Sequence, residues 1–245
     1  LAHHRMYLDE QDEVNKGASL NGALAAGIPG VPAGMVHLAQ RYGKLPLDKS
    51  LAPAIRYAKD GFAIGARYQK LVSYRLEALQ NHPDSAAIFL EDNRIPQIGF
   101  VVVQKDLALT LEQIARYGND GFYRGELAEK MVLGVNQAGG IWSMKDLDNY
   151  RIVERTPIVT NYKGMRVVSA PPPSSGGIVM AQALTILEHF DLTVMDSINR
   201  KHHVIEAMRR AYRDRAVFLG DPDYFKVPVK RLLDKDYLHG MAVSI

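Results

Sequence analysis

Ser174 and Ser175 stand in SAPPPSSGG, residues 169–177, where three prolines and two glycines lead directly into an apolar run. A serine on a sharp turn before a helix is the arrangement of an acyl-transfer nucleophile, which requires G-x-S-x-G between a strand and a helix. PPPSSGG lacks the first glycine. A rigid lead-in fits the residues better: the prolines hold the chain extended, and Ser174 or Ser175 caps the next helix. Gly176 and Gly177 then let its first turn approach another backbone closely. A serine that lines a site and a catalytic serine are the two competing readings. GASLNG at 17–22 misses the same pattern by one residue and reads as a loop. GIPGVPAG at 27–34 has neither G-x-G-x-x-G spacing nor a G-K-[ST] ending. Pro29 and Pro32 also lack the N–H groups a phosphate would use. It reads as a tight, buried turn entering a helix at about Gly34–Tyr42.

The eight histidines do not compose a metal site. His3-His4 and His202-His203 are adjacent pairs, and helical neighbours point about 100° apart. H-E-x-x-H is absent. His203 and Glu206 have the spacing to share one metal, but no second half-motif accompanies them. Asp214-Arg215 reads as part of a structural ion network. No nucleophile–base pair emerges, and neither a catalytic, a substrate-binding nor a metal-ligating residue is assigned.

Composition bounds the rest. With 245 residues, 47% hydrophobic and 23% charged, the chain can build a sizeable core. A net charge of +3, from 30 basic and 27 acidic residues with no basic stripe, argues against nucleic acid and anionic membranes. Cysteine is absent, so disulfides and thiol chemistry are excluded. No apolar run approaches the roughly 18 residues of a membrane span. The sequence starts at Leu1 and shows no secretory leader, which leaves room for one upstream.

The elements that would position such residues are mostly helices. LPLDKSLAPAIRYAKDGF predicts a helix beginning at Pro53 and stopping at Gly61. KDLALTLEQIARYG places Leu107, Leu111, Ile114 and Ala115 on one face, with Asp106 as N-cap and Gly118 as C-cap. GELAEKMVLGVNQAGG repeats this design and ends at Gly139-Gly140. Ser143 and Asp146 have capping-box spacing. TPIVTNYKGMRVVSAP predicts two short strands, 157–162 and 165–170, around Lys163-Gly164. The apolar helix 178–190 has so little polar face that it must be buried. The last long helix carries Val204, Met208, Ala211, Tyr212 and Leu219 in helical spacing and ends at Gly220. Glu206, Arg210 and Asp214 form an alternating-charge spine along it. So few strands cannot complete a layered sheet. Either the domain is an irregular helical bundle, or polypeptide outside these residues completes it. The buried helix 178–190 favours the second, and it predicts that this helix lacks partners and leaves the isolated chain aggregation-prone.

The order of motifs resembles the large subunit of γ-glutamyltranspeptidases, also called glutathione hydrolases. The matching stretches run from about Met6 to Tyr237. They include MYLDEQ, AAGIPGVPAGMVHLAQRYGKLPL, AGGIWSMKDLDNYRIVERTPI, APPPSSGGIVMAQALTILE and EAMRRAYRDRAVFLGDPDY. PPPSSGG followed by EA…AY.DR…LGDP is the specific combination. Pro32 departs from the threonine that family members usually carry in the glycine-rich loop.

The resemblance implies an α+β fold, mostly helical in this piece and part of an N-terminal-nucleophile hydrolase αββα sandwich. Missing N-terminal strands and the small subunit would complete it. Residues 1–245 would form one partial domain without an internal boundary. The parent would cleave γ-glutamyl amides such as glutathione and pass the acyl group to water, amino acids or peptides. A cephalosporin acylase or a poly-γ-glutamate enzyme is the alternative substrate reading, and a non-catalytic scaffold or pseudoenzyme fragment is the alternative class. The implied nucleophile is the N-terminal threonine of a small subunit cut from the same precursor, whose free amine acts as base. It would lie beyond Ile245. The family's carboxylate-gripping arginine would lie just before Leu1, and Arg5 is not that residue. The family implies no cofactor, a heterodimeric partner in the small subunit, and a periplasmic or extracellular location. No catalytic residue is carried over, and the chain alone is expected to be inactive.

Overall fold

The computed structural model describes residues 2–245. By contact density the chain divides into two compact units, Leu1–Ile152 and Val153–Ile245.

The first unit is helical. After a 3-10 turn at Ala23–Ala25 come α1 (Val31–Tyr42) and α2 (Leu47–Asp60). A two-stranded sheet of β1 (Phe62–Ala63) and β2 (Val101–Val102) encloses α3 (Ala66–Ser73), α4 (Leu76–Gln80) and α5 (Pro83–Phe89). Next are α6 (Lys105–Tyr117), α7 (Asp120–Tyr123), α8 (Gly125–Gln137) and α9 (Met144–Asp148). The strands pair antiparallel, Phe62 with Val102 and Ala63 with Val101. They join the ends of α2 and α6, which pack against each other. The core gathers Val36, Ile114, Phe122, Ala128, Trp142 and Leu147.

Three helix starts differ from expectation. Pro53 lies inside α2, which begins six residues earlier, with Asp48 in its first turn. Proline past the first turn deletes one backbone bond, and Leu47 and Leu51, packed on the core, hold the turns before it. α1 starts at Val31 rather than Gly34 because Pro32 sits in its first turn, where a missing N–H costs nothing. The turn before it is half-buried rather than buried. Gln104, not Asp106, is the N-cap position of α6, and Asp106 falls in the first turn, where the helix dipole favours a carboxylate. On α6 the buried residues are Ala108 and Ile114, while Leu107 is 41% exposed. The capping box is present: the Ser143 hydroxyl accepts from Asp146 N–H, and Asp146 Oδ2 accepts from Ser143 N–H at 2.8 Å.

The second unit opens with a hairpin of β3 (Ile158–Tyr162) and β4 (Met165–Ser169), in register from Ile158↔Ser169 to Tyr162↔Met165. Lys163 at φ 49° and Gly164 at φ 80° make the two-residue turn, which matches the twist of the strands. The prolines that follow do not run extended. The Pro172–Pro173 peptide is cis. Ser174 N–H donates to Pro171 O at 3.1 Å, which closes a turn at these prolines. There follow α10 (Gly176–Leu187), α11 (Ser197–Phe218), α12 (Val229–Leu232) and α13 (Lys235–Val243).

α10 is the centre of this unit. The hairpin, α11, α12 and α13 all pack on it. Its expected burial is observed. Its expected lack of partners holds for one side only: these four neighbours cover Ile178, Ala181, Ile186 and Leu187, while Met180 is 38% exposed and Val179, Ala183 and Leu184 are half-buried. Gly177 makes the fit possible: a Cβ there would stand 2.3 Å from Ala170 O and 3.2 Å from Ile158. Gly176 meets no such neighbour. On α11 the inward face is Val204, Ala207, Ala211 and Asp214, whereas Met208 and Tyr212 are 46% and 52% exposed. The two alanines allow close approach to α10, so small residues rather than large ones define the buried stripe. Asp196 caps α11 by accepting from Ile198 and Asn199 N–H. The helix ends in extended backbone at Leu219, one residue before Gly220.

Candidate functional site

The largest concentration of buried polar chemistry is at the α10–α11 contact. Asp214 is 1% exposed and Gln182 is 0% exposed. Gln182 Nε2 donates to Asp214 Oδ2 at 2.8 Å and to Leu232 O at 2.9 Å. The Tyr237 hydroxyl donates to the same carboxylate, 2.9 Å from Oδ2 and 3.0 Å from Oδ1. Burial and the Asp214 carboxylate push the Tyr237 phenol above its ordinary value. Gln182 Oε1 is buried without a hydrogen-bond partner. Arg231 lies over the rings of Phe218 and Tyr237, 5.4 and 5.8 Å from their centroids. The Asp214 carboxylate therefore ties α11 to α10 and α13 through neutral partners, and Gln182 extends the node to the α12 carbonyl.

This arrangement corrects two expectations. The charge spine along α11 stops at Arg210, which pairs with Glu206 at 2.5 Å and donates to Ser244 O at 2.6 Å. Asp214 turns inward instead. Asp214 and Arg215 share no ion pair among the described residues: Arg215 Nε donates to Ser175 Oγ at 3.0 Å. Ser175 occupies the N-cap position of α10 without a side-chain cap bond. Neither Ser174 nor Ser175 meets a histidine or carboxylate among the described residues. A guanidinium that donates to the hydroxyl cannot take its proton, and with no base bonded to it among the described residues Ser175 lacks the partner a serine nucleophile needs.

His203 and Glu206 are also engaged separately. His203 Nδ1 lies 2.8 Å from Asn199 O, its ring 4.4 Å from that of Phe190. Glu206 is taken by Arg209 and Arg210, which hold its carboxyl below the ordinary range. No cluster of three or more metal-ligating side chains occurs among the described residues. His3 and His4 are exposed in an N-terminal turn, and Arg5 pairs with Asp12.

In the first unit, aromatic residues clamp the glycine-rich loop. The Tyr123 hydroxyl donates to Pro29 O at 2.5 Å and accepts from Ala33 N–H at 3.2 Å. Its ring stacks on Tyr150 at 5.4 Å, and Trp142 Nε1 donates to Ala26 O at 2.9 Å. With Pro32 lacking a donor and Ala33 N–H used, the helix start offers an anion little. A surface hollow of about 820 Å³ lies along α6, α7 and α8. Both of its cations are paired, Arg124 with Asp120 at 3.3 Å and with Asp148 outside the hollow at 2.7 Å, and Lys130 with Glu126 at 2.6 Å; Asp106 adds a third carboxylate to the lining.

The family profile described as gamma-glutamyltranspeptidase matches residues 1–245. The chain belongs to the γ-glutamyltranspeptidase family. It is 43% identical over 243 residues to a glutathione hydrolase proenzyme of Pseudomonas sp., covering 98% of this chain and 42% of that relative. It is 35% identical over 232 residues to an acylase proenzyme, ACY 1, also from Pseudomonas sp., covering 94% of this chain and 42% of that relative. The crystal structure of Helicobacter pylori γ-glutamyltranspeptidase superposes with a TM-score of 0.95 at 38% identity, covering all of this chain and 71% of that one. The chain thus spans less than half the length of these curated relatives and shares its fold with a γ-glutamyltranspeptidase.

Folding brings together the two stretches that carry the resemblance. PPPSSGG and AYRDR touch through Ser175 and Arg215, and Gln182, six residues past Gly176, is bonded to Asp214. Gln182 and Tyr237 were missed as partners of Asp214. Gln182 had a signal, since it is the only amide in the apolar run GIVMAQALTIL. Tyr237 had none, because only folding brings α13 to α11.

Proposed function

We propose that this chain is the scaffold-bearing part of a precursor that hydrolyses γ-glutamyl amides such as glutathione and transfers the γ-glutamyl group to water, amino acids or peptides. The supporting observation is the 43% identity to a relative named glutathione hydrolase proenzyme, sustained over 98% of this chain. In this reading a threonine outside these residues becomes the N-terminus of a second subunit and is both nucleophile and base. Residues 1–245 then form one partial domain of the larger subunit, paired with the small subunit, and no cofactor is needed. Export to the periplasm or beyond the cell belongs to the same reading. The 35% identity to an acylase proenzyme supports a second reading with the same fold and a different acyl group.

The test is kinetic. The full precursor is expected to cleave itself into two subunits and to turn over a γ-glutamyl anilide, and the 245-residue chain alone is expected to be silent. Preference for the analogue lacking the α-amino group would establish the acylase reading. Turnover by the isolated chain would overturn the assignment of the chemistry to polypeptide outside it.

A further inference from the structure

We propose that Asn21-Gly22 is a self-modifying site, at which Asn21 converts to aspartate and isoaspartate through a succinimide, with Arg75 stabilising the oxyanion. Of the nine asparagines, only Asn21 is followed by glycine. Both residues are exposed. Gly22 adopts φ 85°, and beyond its chain neighbours nothing lies within 4 Å of the place a Cβ would occupy, so no side chain shields its nitrogen from that side. Its N–H has no hydrogen-bond partner among the described residues and is free to ionise to the attacking amide nitrogen. Arg75 Nη2 donates to Asn21 Oδ1 at 3.1 Å. That contact polarises the carbonyl under attack and lies where the negative charge develops.

The chemistry needs only water. Gly22 N gives its proton to solvent and bonds to Asn21 Cγ, leaving a tetrahedral oxyanion at Oδ1 beside Arg75. The Cγ–Nδ2 bond breaks, and the nitrogen leaves as ammonia with a proton from solvent. Water then opens the ring. Addition at Cγ yields aspartate, and addition at the former main-chain carbonyl yields isoaspartate, in which the backbone runs through the side chain. No oxidation or reduction occurs. The aspartate product places a carboxylate where Arg75 already donates, converting a neutral contact into an ion pair between the 17–22 loop and the start of α4. The isoaspartate product lengthens the main chain by one methylene and pulls the loop out of register with Arg75.

The test uses the full-length protein, freshly purified and held at mildly alkaline pH in ammonia-free buffer. Peptide mass spectrometry follows the one-dalton gain at each asparagine, and an isoaspartyl methyltransferase reports the rearranged product. Asn21 is expected to convert at least about tenfold faster than any other asparagine. Arg75→Gln, a change at an exposed side chain, is expected to slow it about twofold to fivefold, the size of an exposed charge contact. A conversion rate at Asn21 no greater than elsewhere overturns the site. An unchanged or faster rate in Arg75→Gln overturns the role of Arg75, since a contact that merely restrains Asn21 would slow the reaction in the parent protein.

Discussion

Replacing Asp214 separates the value of its charge from the value of its geometry. Asp214→Ala removes the acceptor used by Gln182 Nε2 at 2.8 Å and by the Tyr237 hydroxyl at 2.9 and 3.0 Å. Each buried donor left without a partner costs about 1–3 kcal/mol. Tyr237 is only partly buried and recovers some bonding from water, so the expected total is about 2–4 kcal/mol. Asp214→Asn keeps the shape. Its amide oxygen, set where Oδ2 stands, accepts from both donors, and its nitrogen faces the phenol oxygen, which can accept. Because Asp214 has no cation at ion-pair distance among the described residues, little Coulomb energy is forfeited, and a neutral side chain avoids the desolvation of a buried charge. The asparagine variant is therefore expected within about 1.5 kcal/mol of the parent. Hydrogen exchange of the α10 and α11 amides in the full-length protein reads both directly. Asp214→Ala should lose about thirtyfold to several hundredfold of protection, and Asp214→Asn about tenfold at most. Equal losses in the two variants would refute the reasoning, because the charge itself would then be what the fold requires. Tyr237→Phe adds a pH signature. The folded state favours the neutral phenol, so this contribution is complete below the ordinary tyrosine range and falls away as pH rises through the raised value. The difference between parent and variant should narrow only in strong alkali.

Three further substitutions test the scaffold. Gly177→Ala places a methyl group 2.3 Å from Ala170 O, so denaturant titration should show a loss of about 1–3 kcal/mol from overpacking. Tyr123→Phe removes the bonds to Pro29 O and Ala33 N–H; a stability loss of about 1–3 kcal/mol and faster proteolysis within residues 26–33 are expected. Ser143→Ala deletes the hydroxyl half of the capping box at a cost of about 0.5–2 kcal/mol, leaving the bond from residue 143 N–H to Asp146. The Ser143 bonds hold the Asp146 carboxyl below its ordinary value. The parent's advantage should therefore be present above the ordinary carboxylate range and disappear as pH falls through the lowered value, visible as converging acid-unfolding curves.

Much of the local structure was legible in the residues. The turn at Lys163-Gly164, the stop at Gly118 and the box at Ser143 depend on φ preferences and on side chains bonding to backbone a few residues away, so short stretches suffice to specify them. The burial of α10 was legible for a related reason: GIVMAQALTIL has no polar face to offer water. The specific pairing of PPPSSGG with AYRDR marked the family in sequence, but not its cause.

What only the tertiary structure decided is where individual side chains on those elements point. Helical spacing cannot say whether Met208 or Ala207 faces inward; the closeness of α10 and α11 selects the alanine. Nor can it say that Asp214 abandons Arg210 and Arg215 for Gln182 and Tyr237, because the competing partners come from helices 23 and 32 residues away in the chain. Local sequence determines which elements form, since their energies are local. The choice among partners for a buried polar group is made by the desolvation that only packing imposes, and that term exists once the chain has folded.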